Sequence, residues 1–384
     1  MAIKATSSGI CIDSFSASGA KIGRYGVALI HNPTVCRTAA VFTKSSLRGA
    51  HIAVDERRLS TGMQSVIVNS GNANAYVEGG ERDAEEMCRI AGGLLGVDRK
   101  LVGVASTGIT GRKIDTGKIR EVAEKVAASL KNSGEGSMKA AQAIMTTDTK
   151  PKMVSYEYKG IKVGAIAKGS GMIAPNMATL LCFVTTNADL PRKELQKALS
   201  ESVEGSVNLL VIDGDMSPND TVLLLSDAKK PCNRRDFQYL LDHALKEITK
   251  LLAKDGEGAE KFLEVVVKGV ATKQKARSAA KAIVSSSLVK SAFCGENPNW
   301  GRIIAAVAAK EKIKLVRASL AFESGDTKAY VLKRGKSMKL EPAEKVLKAR
   351  DIRVILDLGE GKESATAWGC DLTEEYVRIN AEYN

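Results

Sequence analysis

The sequence predicts a mixed α/β fold in which sheets are layered with helices, and three observations support this class. Strand-like and helix-like stretches alternate along the chain without repeats or low-complexity segments. Hydrophobic residues make up 44% of the chain and charged residues 26%, which is typical of a globular protein and not of a disordered one. The length of 384 residues is enough to bury a large core.

Apolar residues recur every three or four positions in two stretches, which predicts two amphipathic helices. The first stretch contains Ile119, Val122, Val126 and Leu130. The second, which stops at Asp255 and Gly256, contains Phe237, Leu240, Leu241, Leu245, Ile248 and Leu252. A proline in the first turn predicts another helix over residues 191–203, and a further helix is predicted over residues 300–310.

Alternation of apolar and polar residues predicts a β-hairpin with Lys159 and Gly160 at its turn. Its strands cover residues 154–158 and 161–165. The other predicted strands cover residues 66–69, 179–186, 209–212, 221–225, 263–267, 315–322 and 352–358.

The chain is basic, because 57 Lys and Arg against 44 Asp and Glu leave a formal charge of +13. Net charge affects encounter with anionic partners but does not identify the chemistry. The most basic block, residues 268–290, contains no acidic or aromatic residue, so the stacking surface of a single-strand nucleic-acid binder is absent. We interpret this block as a solvated helix face and expect no nucleic-acid partner.

Composition also argues against a membrane protein or a metal centre. No apolar run reaches the roughly 18 to 20 residues that cross a bilayer, and the first residues lack a signal-peptide core, so a cytoplasmic protein is expected. The seven cysteines are dispersed without a CxxC pair, which indicates neither a disulfide framework nor a zinc ribbon. Three histidines are too few for a His-rich metal site, although a Ser/His/Asp triad stays open.

Polar, Gly-rich junctions follow several apolar stretches, and function is often located at such junctions. The densest junction covers residues 167–188, AKGSGMIAPNMATLLCFVTTNA. Its glycines could form a plain loop or a phosphate-binding nest, but no GxxxxGK[ST] motif is present. On the residues alone, Thr179 could be an ordinary strand residue and Lys168 a surface lysine.

The stretch from Lys168 to Thr186 resembles the self-cleavage segment of the ornithine acetyltransferase family, also called glutamate N-acetyltransferase, of arginine biosynthesis. Seven other blocks match this family in order: NSGNANA from Asn69, STGITG from Ser106, MTTD from Met145, DGDMSPNDT from Asp213, DGEGA from Asp255, CGENPNWGRI from Cys294 and YVRINAEY from Tyr376. One block alone is a weak signal. Eight in order, with sensible spacing across nearly the whole chain, are a strong one.

The resemblance implies that the chain cuts itself between Ala178 and Thr179, which gives an α chain of residues 1–178 and a β chain of residues 179–384. Thr179 then becomes an N-terminal nucleophile. A hydroxyl is a weak nucleophile without a base beside it, and a new α-amino group, with a pKa of about 7.7 to 8.0, can act as that base. One threonine can therefore supply both groups in a chain that has only three histidines.

The resemblance also implies the reaction, in which Thr179 takes the acetyl group from N-acetylornithine, releases ornithine and passes the acetyl group to glutamate. This is a ping-pong acyl transfer through acetyl-threonine. Thr107, through its hydroxyl, and Gly108, through its backbone N–H, match the oxyanion hole of the family. On the residues alone, STG is equally suited to a tight turn.

The substrate contacts carried over by position are Thr146, Lys168, Thr179, Glu257 and Asn380. A lysine can offset the α-carboxylate of either substrate, and a carboxylate with an amide can hold an amino group. The assignment to Thr146 could shift by one residue, because the next residue is also a threonine. On the residues alone, Glu257 lies in a loop that ends a helix and Asn380 in a C-terminal strand.

For the fold, the resemblance implies a four-layer αββα sandwich similar to that of N-terminal-nucleophile hydrolases, and for the assembly an α2β2 heterotetramer. No cofactor and no metal are expected.

Some family members also make N-acetylglutamate from acetyl-CoA. No Gly-rich nucleotide-binding fingerprint is present, which favours recycling only, although the bifunctional members lack one as well.

Some positions differ from the family pattern, which leaves the fine substrate preference open. The chain stops at Asn384, whereas family members usually continue to a Ser or Thr that contacts substrate, and Met216, Pro218 and Asn297 replace more usual residues.

Two alternative functions remain. One is a related N-terminal-nucleophile amidohydrolase or aminopeptidase, with water or another amine as acceptor, and the other is a basic nucleic-acid-binding module.

Overall fold

The structure is a computed structural model that describes residues 2–173 and 180–382. The strands are β1 (Lys4–Ala5), β2 (Ser16–Ile22), β3 (Tyr25–Phe42), β4 (Met63–Asn72), β5 (Val102–Ile109), β6 (Lys152–Tyr158), β7 (Ile161–Lys168), β8 (Leu181–Asp189), β9 (Leu210–Val211), β10 (Thr221–Pro231), β11 (Phe262–Val270), β12 (Ser319–Ser324), β13 (Thr327–Lys333), β14 (Lys336–Ser337), β15 (Asp351–Asp357) and β16 (Glu363–Cys370). The helices are α1 (Ala50–Arg58), α2 (Gly80–Leu95), α3 (Thr116–Ala128), α4 (Gly134–Ile144), α5 (Arg192–Glu204), α6 (Arg234–Lys254), α7 (Lys273–Ser285), α8 (Ser287–Cys294), α9 (Trp300–Ala308), α10 (Glu341–Leu347) and α11 (Glu374–Glu382).

The chain divides into two compact units, and the first contains a nine-stranded sheet. This unit comprises Met1–Gly169, Asn176–Val207 and Met216–Ile248. Its strand order is β1-β6-β7-β8-β10-β3-β4-β5, with β2 paired to β3. The β8–β10 and β4–β5 pairs are parallel, and the other pairs are antiparallel.

Two hydrophobic clusters stabilise the first unit. Helix α4 contributes Ala140, Ala141 and Ile144 to one cluster, which also contains Phe183 of β8. Helices α2 and α3 supply much of the other cluster. Strand β8 begins with the apolar run LCFV, and every residue from Leu181 to Ala188 is buried.

The second unit contains a seven-stranded sheet in the order β14-β13-β12-β15-β11-β16-β9. It comprises Ser170–Pro175, Asn208–Asp215 and Thr249–Asn384. The β11–β15 and β16–β9 pairs are parallel, and helix α7 packs on β11 and β16. The ring of Phe293 in α8 meets that of Phe322 in β12 edge to face, with ring centroids 5.6 Å apart.

The predicted α/β class is confirmed, with two sheets and flanking helices. The two amphipathic helices are α3 and α6, and the predicted hairpin is β6–β7. The helix predicted over residues 191–203 is α5, with Pro191 at its N-cap. The helix predicted over residues 300–310 is α9, where the side chain of Asn299 accepts a hydrogen bond from the Arg302 N–H. No helix within residues 2–173 and 180–382 is long and apolar enough to cross a membrane.

Two predicted strands are shorter than expected. Within the stretch over residues 209–212, Leu209 ends a 3-10 turn, Val207–Leu209, and only the two residues of β9 form a strand. The stretch over residues 315–322 begins with a second 3-10 turn, Leu315–Arg317, in which Val316 is 75% exposed. In both stretches, apolar residues that do not pair with a neighbouring strand still gave the sequence the pattern of a strand. The first residue of the strand predicted over residues 179–186 lies outside the described residues.

The C-terminal stretch with Asn380, interpreted above as a strand, is helix α11, so that alternative was wrong. The Thr373 hydroxyl caps the helix by accepting a hydrogen bond from the Tyr376 N–H, and Arg378 pairs with Glu375 on its surface. The basic block is largely helix α7 with exposed lysines, as expected. Its last lysine, Lys290, is instead buried and donates a hydrogen bond to the Cys370 carbonyl.

Candidate active site

Several of the matched sequence blocks meet in the first unit at a small pocket. The pocket encloses about 150 Å³ of empty space, part of it open to solvent. Its lining comes from the ends of β5 and β7, the start of β8 and the loop before β10; the lining residues are Thr107, Lys168, Leu180, Leu181, Ser217, Asn219 and Asp220. The end of β7 meets the start of β8 because these two strands are antiparallel, and the start of β10 lies beside that of β8 because those two are parallel.

The predicted oxyanion residues lie at a β-bulge near the end of β5. Asn72 of β4 pairs with both Thr107 and Ile109, so the register shifts at this point. Gly108 has a φ of +126°, and a Cβ there would lie 2.4 Å from the Gly71 carbonyl carbon. Only glycine fits this position, and the simple tight turn considered above is not what the structure contains.

Asn219 fixes the backbone beside this bulge. Its side-chain Nδ2 donates hydrogen bonds to the carbonyls of Ala73, at 2.5 Å, and Ser106, at 2.7 Å. Its own backbone N–H donates to the Ser217 hydroxyl at 3.0 Å. The loop before β10 therefore holds the residue that precedes Thr107 in place, although sequence reasoning gave Asn219 no role.

Lys168 is buried at the end of β7, so it is not one more surface lysine. Its Nζ lies 3.8 Å from Oδ2 of Asp148, which is also buried. The other oxygen of Asp148, Oδ1, accepts hydrogen bonds at 2.6 Å from Lys152 Nζ and from the Gly169 N–H. Oδ2 accepts a further hydrogen bond at 3.0 Å from the Thr146 N–H.

Asp148 therefore links two predicted substrate contacts, Thr146 and Lys168. Burial by itself would raise the pKa of this carboxyl, but the positive charges of Lys168 and Lys152 and the hydrogen bonds hold the pKa well below its usual range. The group is an anion between two buried ammonium groups. Asp148 stands in the MTTD block, yet sequence reasoning assigned it no function.

Asp220 also lines the pocket, and its pKa is shifted in the opposite direction from that of Asp148. Burial raises its pKa well above the usual value, and Lys168 offsets only part of that effect. Its Oδ1 accepts a hydrogen bond from the Leu180 N–H at 3.1 Å. His51, on the neighbouring helix α1, contacts the Thr221 hydroxyl through Nε2 at 3.1 Å, and burial lowers its pKa to about 4.

Glu257 and Asn380 form a second group, in the second unit. The Asn380 Nδ2 donates a hydrogen bond to Glu257 Oε2 at 2.8 Å, and the Glu257 N–H donates to the Ser170 carbonyl at 2.9 Å. A Cβ on Gly171 would lie 2.2 Å from Glu257 Oε2, so only glycine leaves room for this carboxylate. Glu257 follows the end of α6 in a loop, as expected.

The same unit holds the chain just before the predicted cleavage site. Asp213 accepts hydrogen bonds from the Met172 N–H at 2.6 Å and the Ile173 N–H at 2.9 Å. Burial raises the pKa of Asp213, and its hydrogen bonds oppose this effect. Ala178 and Thr179, the predicted cleavage site and nucleophile, lie outside the described residues, as does Asn384.

The six described site residues therefore fall into two groups. Thr107, Gly108, Thr146 and Lys168 lie close together in the first unit, and Glu257 and Asn380 touch in the second. Sequence reasoning missed Asn219 and, near the first group, the two buried acidic residues Asp148 and Asp220. Both stand inside matched blocks, so the signal was present in the sequence, but a charge partner could not be assigned without the fold.

Comparisons with known proteins show the family of this chain. The ArgJ family model matches residues 14–384. A glutamate N-acetyltransferase of Methanothermobacter thermautotrophicus is 43% identical over 390 residues, which cover 98% of this chain and 97% of that protein. An arginine biosynthesis bifunctional protein ArgJ of Archaeoglobus fulgidus is 43% identical over 370 residues, which cover 95% of this chain and 97% of that protein. A solved structure of the arginine biosynthesis bifunctional protein ArgJ from Bacillus halodurans is 37% identical, covers 52% of this chain and 98% of that chain, and has a TM-score of 0.49.

The resemblance inferred from the eight sequence blocks is thus confirmed by identity along nearly the whole chain. One of these relatives carries the name glutamate N-acetyltransferase that the resemblance suggested, and the other is named for arginine biosynthesis. The chain belongs to the ArgJ family of acyltransferases.

Proposed function

We propose that this protein moves the acetyl group of N-acetylornithine to glutamate through an acetyl ester on Thr179. The name of one relative, glutamate N-acetyltransferase, supports glutamate as the acetyl acceptor, and N-acetylornithine as the donor rests on the family resemblance. The observation that carries the chemistry is the pocket of the first unit, in which Thr107 and Lys168 line the same small space as Leu180, the residue next to Thr179. A nucleophile at position 179 would have an oxyanion donor and a cation close by.

The proposal begins with a cut between Ala178 and Thr179, which frees the α-amino group of Thr179. In the first half-reaction this amine takes the proton of the Thr179 hydroxyl while Oγ attacks the acetyl carbonyl of N-acetylornithine. The amide C–N bond then breaks, and the proton passes to the departing amino group of ornithine. In the second half-reaction the amino group of glutamate attacks the ester and restores the hydroxyl.

Each half-reaction passes through a tetrahedral intermediate with a negatively charged oxygen. The Thr107 hydroxyl and the Gly108 N–H are proposed as its donors. The bulge, the positive φ of Gly108 and the Asn219 hydrogen bonds would fix them before the substrate binds, so that little reorganisation is needed during the reaction. One such donor typically contributes about a hundredfold to a thousandfold in rate.

The two groups of residues are proposed to make different contacts with the substrates. Lys168 would offset a carboxylate, and Asp148 would keep its ammonium in place. Glu257 would bind an amino group, with Asn380 fixing the orientation of its carboxylate. Thr146 would contribute its hydroxyl, because its backbone N–H already donates to Asp148.

Further parts of the proposal rest on the family resemblance. They are an α2β2 assembly of residues 1–178 and 179–384, a cytoplasmic location, and a reaction without a cofactor. Acetyl-CoA would enter only as an additional acetyl donor, if the protein also makes N-acetylglutamate. We propose recycling only.

The proposal is tested by following the acetyl group. Purified protein is incubated with N-acetylornithine labelled with ¹³C in the acetyl group and with unlabelled glutamate, beside a T179A variant. We expect labelled N-acetylglutamate and free ornithine in equal amounts from the wild type and none from T179A. Labelled free acetate that forms at the same rate with or without glutamate would instead identify an amidohydrolase.

A further inference from the structure

The ammonium group of Lys21 lies beside the predicted substrate contact Thr146. Lys21 stands near the end of β2, and its Nζ donates a hydrogen bond to the Met145 carbonyl at 2.7 Å. Met145 is the C-cap residue of α4, and Thr146 follows it in the chain. A cation at a helix C-terminus stabilises the last carbonyls, so part of this contact is structural. The cap uses one of the three ammonium hydrogens, which leaves two for a ligand.

The surroundings of this ammonium are suited to an anion. Lys21 is exposed as a whole, so a ligand can reach it. Partial burial of the ammonium lowers the pKa of Lys21, and the charge of Asp148 opposes this effect. The ordinary pKa of a lysine, about 10.4, lies far enough above neutral pH for the group to stay charged. Lys21 makes no ion pair with a carboxylate within residues 2–173 and 180–382, because Asp148 acts on it only from a distance.

A short series of contacts connects Lys21 to Lys168, which lines the pocket. The Thr146 N–H donates to Asp148 Oδ2 at 3.0 Å, and this oxygen lies 3.8 Å from Lys168 Nζ. The Met145 carbonyl oxygen and the Thr146 nitrogen belong to one peptide group and are roughly 2.3 Å apart. The ammonium nitrogens of Lys21 and Lys168 are therefore no more than about 12 Å apart.

This separation fits a ligand with two carboxylates. The two carboxyl carbons of glutamate are joined by four C–C bonds and lie about 5 Å apart when the molecule is extended. With a hydrogen bond of about 2.8 Å to each carboxylate, the two donor nitrogens are roughly 9 to 12 Å apart. Lys152 also lies near Asp148, but it is buried and already donates to Asp148 Oδ1 at 2.6 Å. Lys21 is the exposed cation of this group.

We infer that Lys21 binds the side-chain carboxylate of glutamate and so selects glutamate as the acetyl acceptor. The inference rests on the proposed function, because it takes glutamate as the second substrate and Lys168 as the cation that offsets its α-carboxylate. N-acetylornithine has an amino group in its side chain, so Lys21 binds no side-chain carboxylate in the first half-reaction. Lys21 is therefore a specificity residue for the second half-reaction only.

Lys21→Met should change the preference between acceptors. Glutamine has the backbone groups and nearly the shape of glutamate, but its side chain carries no charge. Loss of one charge-assisted hydrogen bond should lower kcat/KM for glutamate about tenfold to a hundredfold and leave kcat/KM for glutamine within about threefold. The release of ornithine from N-acetylornithine in the absence of an acceptor should keep its wild-type rate.

Two further variants separate the charge of Lys21 from its role at the end of α4. Lys21→Gln keeps an N–H donor for the Met145 carbonyl and removes the charge, so it should lose the preference for glutamate as K21M does. Lys131, before the other end of α4, is also exposed, and its Nζ lies 2.7 Å from Glu135 Oε2. Lys131→Met removes a similar cation and should keep the wild-type preference.

A fall in kcat/KM that is confined to glutamate, in both K21M and K21Q, supports the inference. Equal falls for glutamate and glutamine would show that Lys21 only stabilises the end of α4, and this result overturns the inference. An unchanged kcat/KM for glutamate overturns it as well, and so does an equal loss of preference in K131M.

Direct binding measurements keep this test separate from the test of the proposed function. A wild type that acetylates neither glutamate nor glutamine refutes the proposed function. Isothermal titration with glutamate then still decides on Lys21. A Kd about tenfold higher in K21M than in the wild type supports the inference. Equal Kd values, or no binding of glutamate by the wild type, overturn it.

Discussion

Replacing Asp148 by asparagine should destabilise the protein more than most single substitutions. Asp148 is a buried anion between the ammonium groups of Lys152 and Lys168, which are 2% and 4% exposed. Asparagine has nearly the same shape but no charge. The variant therefore leaves two buried cations without the anion between them, and breaking a buried ion pair in this way typically costs about 3 to 5 kcal/mol.

The destabilisation of D148N can be measured as a shift in Tm, and this shift depends on pH. For a cooperative unit of about 150 to 250 residues it corresponds to a fall in Tm of roughly 6 to 20 °C. The pKa of Asp148 is held below its usual value, so its stabilising contribution is fully present above the unfolded pKa of about 4 and is lost as the pH falls through the folded pKa. The Tm difference between D148N and wild type should therefore be full at pH 7 and shrink below about pH 4.

A double variant tests the electrostatic cause. In D148N/K152M the substitutions remove one negative and one positive charge, so the net charge of the cluster returns to that of the wild type. Thermal unfolding followed by near-ultraviolet circular dichroism should show that the double variant regains most of the lost Tm, since removing both partners of a buried pair is often nearly neutral. A D148N Tm equal to wild type, or a double variant less stable than D148N, would refute the reasoning.

Two further substitutions test the proposed roles of site residues. Thr107→Val keeps the shape and removes the hydroxyl, so kcat for acetyl transfer should fall about a hundredfold to a thousandfold with little change in KM; a fall below tenfold would exclude Thr107 as an oxyanion donor. Asn380→Asp places a carboxylate against Glu257 and should raise KM about tenfold, because repulsion turns the Glu257 carboxylate away from the amino group that it is proposed to bind. A KM equal to that of the wild type would show that the contact between the two side chains does not orient the substrate.

The elements that the sequence predicted are those with a buried face. Helix α3 buries Ile119, Val122, Ala123 and Val126, so its apolar residues recur with the helical period. Helix α11, by contrast, buries none of its described residues, and its Val377 is exposed. Its helix depends on the Thr373 cap and the Arg378 ion pairs, which are weak signals in a sequence.

The charge partners of the site could not be predicted because they depend on strand pairing. Lys152 stands opposite Ala167 in the β6–β7 hairpin, which brings it beside Lys168 at the open end of the hairpin. The turn of this hairpin was visible in the sequence, but the position of Asp148 between the two lysines was not. Lys168 on its own could therefore equally have been a surface residue.

The contacts around the pocket have a similar origin. The blocks that begin at Asn69 and Ser106 meet through the parallel pairing of β4 with β5, and the block that begins at Asp213 joins them through the hydrogen bonds of Asn219. Nothing in the local pattern of these strands fixes their order in the sheet. The resemblance selected the oxyanion residues, and the structure adds the bulge that makes glycine necessary at position 108.

The central claim is that a threonine freed by self-cleavage carries the acetyl group. Intact-mass analysis of the purified protein, before and after addition of N-acetylornithine without glutamate, tests it most directly. We expect two chains, with the second beginning at Thr179 and gaining the mass of one acetyl group, which is lost again when glutamate is added. T179A should stay a single chain and gain nothing. An uncut wild type that still transfers acetyl, or an acetyl group bound to another residue, would contradict the account.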